Sequence, residues 1–242
     1  MLARFKAYYF AQMMHPGPLG LLVNPFYFAR RGLLVAVREL AAGIRGRVLD
    51  VGCGSRPYES IFDVSEYVGL ELDTPQNRLT GRADVYYAGK TFPFQPASFD
   101  AVVCNQVLEH VFEPDAFIGE IARVLKNEGQ LLLTVPFVWD EHEQPRDFGR
   151  YSSFGLVALL GRNGFEVIEL RKTVGDIRVV FQMLNAYIFK IICVRNPYLS
   201  LVLTLILIAP FNLAGTALRW LTPRNADLYL DNVVLARKVP GK

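Results

Sequence analysis

The sequence predicts an α/β fold: a mostly parallel, seven-stranded sheet with helices on both faces. Three observations lead there. Helix-like and strand-like segments alternate along the chain, the pattern of βα repeats. The first strand-like run closes on a G-x-G turn, and in such sheets ligands bind beyond the carboxyl ends of the strands, where that turn lies. With 242 residues, 52% apolar and 20% charged, the chain supports one large core and leaves little room for a second independent domain.

The elements follow in order. RGLLVAVRELAAGI (31–44) has helical periodicity, and RVLDV (47–51) is a short buried strand leading into the glycine turn, with a helix expected after it. YVGLEL (67–72) and ADVYY (83–87) read as the second and third strands and FDAVVCN (99–105) as the fourth. VLEHVFEPDAFIGEIARVLKNEG (107–129) is expected as a helix ended by Gly129, and QLLLTVP (130–136) as a strand stopped by Pro136. SSFGLVALLGRNG (152–164) carries a serine N-cap and a glycine stop; FEVIELRK (165–172) and YLDNVVLARK (229–238) supply the last two strands.

Several classes of function are disfavoured at once. A net charge of +3 with scattered basic residues argues against a nucleic-acid partner. Cys53, Cys104 and Cys193 have no metal-ligand spacing and no disulfide arithmetic, which fits a reducing cytoplasm. The basic, aromatic N-terminus lacks an apolar core followed by a small-residue cleavage site, so no signal peptide is expected.

The glycine turn narrows the ligand. A dinucleotide fingerprint asks for G-x-G-x-x-G, whereas here Gly52, Cys53 and Gly54 run on to Ser55, Arg56 and Pro57. Asp50, two residues before the first glycine, would repel a pyrophosphate but suits an ammonium. A ligand with a cationic amino-acid end is expected.

VLDVGCGS, YVGLELD, ADVYYAGKTFPFQPASFDAVVCNQVLEHV and IARVLKNEGQLLLTVPF, in that order, resemble the successive motifs of class I S-adenosylmethionine-dependent methyltransferases of the type 11 domain family. The resemblance covers roughly residues 45–172 and departs from the family pattern at Arg56, where a third glycine is usual. It implies a Rossmann-like class I methyltransferase fold with S-adenosyl-L-methionine as cofactor. Asp50, Gly52, Cys53 (by backbone only) and Gly54 would then form the methionine end of the pocket. Glu71 would take the ribose hydroxyls, with Asp73 as a weaker stand-in. Asp84 would lie at the adenine edge, and Asn105 and Gln106 beside the sulfonium. An acidic residue after a strand is also often a loop carboxylate or cap. Glu109 and His110 read equally as capping and packing residues.

Methyl transfer from a sulfonium asks the protein to align the acceptor and exclude water. The loop PFVWDEHEQPRDFGRYS (136–152) gathers polar and aromatic groups at the ligand end of the sheet. His142 is the expected general base, since an imidazole titrates near neutrality. Asp140 and Tyr151 are catalytic candidates beside it, and Glu141, Asp147 and Arg150 are further orienting or binding groups. No metal is assigned, although histidine with carboxylates also suits one. A solvated loop with surface ion pairs is the bland alternative.

Domain boundaries follow: a helical, aromatic cap over 1–44, the cofactor-binding core over 45–173, a hydrophobic helical insertion over 174–229, and the last strand and tail over 230–242. Within the insertion no charge occurs from Asn196 to Leu218, between Arg195 and Arg219, and about 20 apolar residues suffice to span a bilayer. If the final strand rejoins the sheet, one crossing is topologically inconsistent, which leaves a re-entrant or monotopic hairpin bent near Pro210, Asn212 and Gly215. The alternative is a cap or subunit interface, so an oligomer stays open. The expected function is methyl transfer to a small, glycan or lipid-linked acceptor at the inner face of the membrane. The rivals are a nicotinamide-dependent oxidoreductase and a non-catalytic membrane scaffold.

Overall fold

A computed structural model describes residues 2–192, 194 and 196–241 of the protein. Cys193, one of the three cysteines, and Arg195, one end of the uncharged run, lie outside the described residues. The chain forms two compact units: Met1–Val35 with Val138–Asp140 and Lys172–Asp231, and Ala36–Phe137 with Glu141–Arg171 and Asn232–Lys242.

The second unit holds most of the sheet. Strands β1 (Arg47–Val51), β2 (Glu66–Leu72), β3 (Val85–Tyr87), β4 (Phe99–Asn105), β5 (Leu125–Pro136), β6 (Phe165–Lys172) and β7 (Asp231–Lys238) lie in the order β3-β2-β1-β4-β5-β7-β6. The pairs β1–β2, β1–β4, β2–β3 and β4–β5 are parallel, with Asp50 opposite Gly69 and Val103. Central parallel strands are covered on both faces, which is why residues 48–51 of β1 and 131–136 of β5 are buried without a break. Strand order reverses between β1 and β4, so the carboxyl ends of these strands form the crevice.

Sequence accounts for the helices on this sheet. Helix α5 (Pro114–Val124) starts on a proline at its first turn and buries Phe117, Ile118, Ile121 and Val124, a helical stripe. Ser152 caps α6 (Ser153–Arg162), its Oγ accepting the Gly155 N–H at 3.2 Å, and Leu156, Leu159 and Leu160 face inward. Arg123 donates to the carbonyls of Phe92 and Phe94 at 2.9 and 2.8 Å, while Glu120 accepts the Phe92 N–H at 2.8 Å. That clamp holds the segment before β4 over the core, with Phe92 and Phe99 fully buried. Each such aromatic contributes on the order of 1.5–3 kcal/mol by burial.

Two expectations need correction. The helix after the glycine turn is only a single 3-10 turn, Glu59–Ile61, because Arg56 adopts a left-handed φ of 54° and Pro57 follows it. The long helix over 107–129 is a 3-10 turn at Leu108–His110 followed by α5 alone. Gly129 does not stop a helix; it lies inside β5 beside Glu128 at φ 62°, where a Cβ would stand 2.8 Å from the Lys126 carbonyl oxygen.

The first unit is helical: α1 (Leu2–Met14), α2 (Gly20–Val23), the start of α3 (Tyr27–Ala41), α7 (Arg178–Ile192), α8 (Pro197–Leu207) and α9 (Ala209–Leu218). The short α4 (Pro75–Thr80) belongs to the second unit. A buried amide network joins these helices. Gln182 of α7 accepts the N–H groups of Phe28 and Ala29 at 3.1 and 3.2 Å, capping the start of α3, and donates to the Pro25 carbonyl at 3.0 Å. Asn212 of α9 donates to the carbonyls of Leu21 and Asn24 at 2.9 and 3.1 Å and accepts from Asn185 at 2.9 Å. Asn24 in turn donates to the Gln12 and Met13 carbonyls at 2.8 and 3.2 Å. Unmade, these bonds would leave buried polar groups costing about 1–3 kcal/mol each. Asn212→Leu is therefore expected to lower stability by about 2–4 kcal/mol in urea unfolding.

Candidate functional site

The carboxyl ends of β1 and β2 bring the first group of candidates together. Gly52 sits at φ 70°, and a Cβ there would meet Val107 at 2.4 Å, so the position needs glycine on both counts. Gly54, at φ 48°, has nothing within 4 Å of where a Cβ would be: the turn opens outward there. Its N–H donates to Glu71 at 2.9 Å. Glu71 also accepts from the Leu72 N–H at 3.0 Å and from Asn77 at 3.3 Å, so this carboxylate is held in place at the end of β2.

Asp50 is buried, and the Tyr67 hydroxyl donates to it at 2.8 Å. The register puts Tyr67 and Gly69 on the same face of β2 as Asp50 on β1, which explains a contact no linear motif reveals. Burial raises the Asp50 carboxyl to about 7, outweighing the Tyr67 hydrogen bond and the nearby Arg56. Burial likewise pushes the Cys53 thiol up to about 12, so its side chain is inert and only its backbone serves the turn.

Arg56 stands where a third glycine is usual and uses its side chain to fasten the turn. Its guanidinium pairs with Asp84, whose Oδ2 also accepts the Gly69 N–H at 2.7 Å. A Cβ on Gly69 would fall 2.6 Å from Arg56 and 2.9 Å from the Cys53 sulfur, so the β2 glycine makes room for the arginine. Asp84 thus commits one oxygen to structure. Asp73, the stand-in for Glu71, pairs with Arg78 at 2.5 Å instead.

At the end of β4, Asn105 accepts the Thr134 hydroxyl at 2.6 Å. Gln106, at φ 55°, donates its N–H to the Thr134 carbonyl and hydroxyl at 3.0 and 3.1 Å. Thr134 therefore orients both, a role absent from the sequence reading.

The loop after β5 is ordered around Asp147. Arg150 donates to it at 2.6 and 2.8 Å, and this pair holds its carboxyl well below the usual carboxylate range. The His142 N–H also donates to it, at 2.9 Å, with His142 Nδ1 3.3 Å away. Tyr151 is half-buried against the core, and burial raises its hydroxyl further from neutrality. In the first unit, Asp140 pairs with Lys190 at 2.7 Å. The structure also stacks His110 edge-on against His142, with centroids 4.8 Å apart, a proximity that the Leu-Glu-His run alone does not disclose.

Against known proteins, the methyltransferase domain family matches residues 49–133. The chain is 34% identical over 112 residues to the ubiquinone biosynthesis O-methyltransferase of Xanthomonas euvesicatoria, covering 41% of this chain and 46% of that one. It is 33% identical over 125 residues to a probable S-adenosylmethionine-dependent methyltransferase of Mycolicibacterium smegmatis, covering 48% of each. The chain thus spans about half the length of these relatives. Its fold matches phosphoethanolamine N-methyltransferase 2 of Haemonchus contortus, solved with S-adenosyl-L-methionine, at a TM-score of 0.56 and 19% identity, over 95% of this chain and 59% of that one.

Residues 49–133 thus match a methyltransferase domain, and the fold that contains them is the class I methyltransferase fold. S-adenosylmethionine, bound in that solved structure of similar fold, would supply an electrophilic methyl group on a sulfonium. The chain's own residues fit that group: an open glycine turn, a buried carboxyl suited to an ammonium, and a carboxylate fixed at the end of β2.

Asp50 gives two linked expectations. Between the ordinary 3.8 and about 7, the folded protein holds a proton that the unfolded chain releases, so stability falls as pH rises through that window and stays low above it. Asp50→Asn should therefore raise the unfolding midpoint at pH 8 while weakening S-adenosylhomocysteine at least about tenfold. Pairing with an ammonium requires the ionised carboxylate, so wild-type affinity should rise from pH 5.5 to 7 with release of up to about one proton, read by calorimetry in two buffers. A flat profile would remove Asp50 from the site.

Proposed function

We propose that this methyltransferase acts on a hydroxyl or other heteroatom of a lipid-linked acceptor at the cytoplasmic face of a membrane. The observation that supports this most is the outer face of α8 and α9. Tyr198–Leu218 has a mean hydropathy of 2.1 yet is only 28% buried, and by length and composition it is the one described helical run apolar enough to cross a bilayer. Thr204, Ile208 and Asn212 turn inward, while Tyr198, Leu199, Val202, Leu205 and Ile206 face outward. An uncharged face of this size calls for a non-aqueous neighbour.

The helices break at Ile208, and α9 turns its Asn212 and Gly215 face onto protein. A shallow, monotopic seat suits that arrangement better than a crossing, because the chain goes on from α9 to β7. Tyr187, Tyr198 and Trp220 are exposed, the residue types that favour the headgroup level. A subunit interface over the same face is the second reading, favoured by nothing else among the described residues.

On the acceptor side, His142 handles the proton of the acceptor hydroxyl, oriented by Asp147 and Arg150. Tyr151, with its raised hydroxyl, serves as wall rather than base. Asp140, already paired with Lys190, contributes charge in its own unit. The cofactor side comprises Asp50, Gly52, Cys53 backbone, Gly54 and Glu71, with Asp84, Asn105 and Gln106 as bracing or edge residues.

With methyl-labelled S-adenosylmethionine and membrane extract, label is expected in the organic phase; label confined to aqueous products would overturn the lipid-linked acceptor. Ile206→Lys combined with Leu205→Lys should shift the protein from vesicle-bound to free in flotation, with cofactor affinity unchanged. His142→Ala should cut the transfer rate by about 10²–10⁴-fold while changing S-adenosylhomocysteine affinity less than about threefold.

A further inference from the structure

The turn after β4 and the loop after β5 place three metal-ligating side chains together. A carboxylate oxygen of Glu109 and one ring nitrogen each of His110 and His142 all lie within 4.8 Å of one another. His110 Nε2 is 3.9 Å from Glu109 Oε1. Glu109 is fully buried, and an ionised carboxylate in such a place is tolerated only with a positive partner.

Both imidazoles are oriented from behind. His110 Nδ1 lies 2.6 Å from the Arg146 carbonyl oxygen, and His142 Nδ1 lies 3.3 Å from Asp147, itself fixed by Arg150. A carbonyl or carboxylate at Nδ1 selects the tautomer that carries its lone pair on Nε2, the usual backing of metal-bound histidine. The two segments are also latched: the Glu109 carbonyl accepts the N–H groups of Phe148 and Gly149 at 2.8 and 3.2 Å. On the solvent side, Glu143 reaches to 3.9 Å from His110 Nε2 and is well exposed.

We propose that Glu109, His110 and His142 form a binding site for one divalent transition-metal cation, of the class of zinc. Two imidazoles and one carboxylate suit zinc or iron(II) and not magnesium or calcium, which prefer all-oxygen shells. With ligand bonds of about 2.0–2.2 Å, the three donor atoms would draw in to roughly 3.4 Å apart, a small side-chain rotation from their present positions. Three protein ligands leave one position open to an oxygen. Water takes it in the resting protein; on the acceptor-side reading proposed above, on which this role but not the site itself rests, an acceptor hydroxyl takes it. With the cation bound, His142 serves as its ligand rather than as a base: the cation makes that hydroxyl more acidic, and the hydroxyl's proton leaves to solvent water.

The test uses the full chain, freed of metal by chelation and without a histidine tag. Dialysis against cobalt(II) and zinc(II) should leave about one equivalent per chain, with a visible d–d band for cobalt, and release protons on uptake. His110→Ala and His142→Ala should each lose the cobalt band, and Asp147→Asn should weaken zinc by about 10–100-fold. Unchanged S-adenosylhomocysteine binding in His110→Ala shows that the domain is folded. Metal uptake by wild type no greater than by the His110→Ala/His142→Ala double variant, with cofactor binding equal in both, would overturn the proposal. Metal uptake without transfer to any acceptor would leave the site standing and overturn the function proposed above, so the two fail separately.

Discussion

A carboxyl group buried at the end of the central strand is the constraint on which this molecule turns. Asp50 sits in the apolar middle of the sheet, with one tyrosine hydroxyl for company, and desolvation keeps its proton on until about neutral pH. Such a group is a poor choice for stability alone, since an asparagine would make the same hydrogen bond without the cost of ionisation. It makes sense where a cationic ligand end arrives to pair with it. The rest of the crevice is arranged around that point: two left-handed glycines carry the backbone past it, Glu71 receives the turn's N–H, and Arg56 fastens the turn to Asp84 and β2.

The loop after β5 repeats this logic with different chemistry. Asp147 is nearly as secluded, but it meets a guanidinium within the chain and stays ionised. It therefore acts as a rigid bracket, and what it holds is the imidazole of His142. One acidic side chain thus keeps its proton up to about neutral pH while the other is held ionised by a guanidinium of the same chain.

Much of this was legible in the sequence because it follows from local rules. Alternating apolar runs gave the strands, Ser152 gave the start of α6, and the ordered motifs around Asp50 and Glu71 pointed to the family and cofactor. The failures share one cause: partners distant in sequence. Nothing local to Arg56 announces that Asp84 and Gly69 will receive its side chain and let it occupy a glycine's conformation. Gly129 looks like a helix stop until the register of β5 on β4, which shifts between Phe99 and Ala101, places it inside a strand. His110 and His142 are brought edge to face where the Glu109 carbonyl latches the two segments, so a run that reads as ordinary capping becomes part of a cluster.

The insertion between β6 and β7 leaves and returns through a narrow neck. Thr173 and Asp231 bond backbone to backbone at 2.8 Å, and the Thr173 hydroxyl both donates to the Asp231 carboxylate at 3.0 Å and accepts its N–H at 3.1 Å. Because its two ends meet at one pair of residues, the segment has the character of a graft: a length of chain that an ancestor without it could acquire there, or a descendant shed, without re-threading the sheet. The amide network that binds α1 and α2 to α7 and α9 means that the N-terminal segment packs with the insertion, so that losing the one would strip the other of its buried partners.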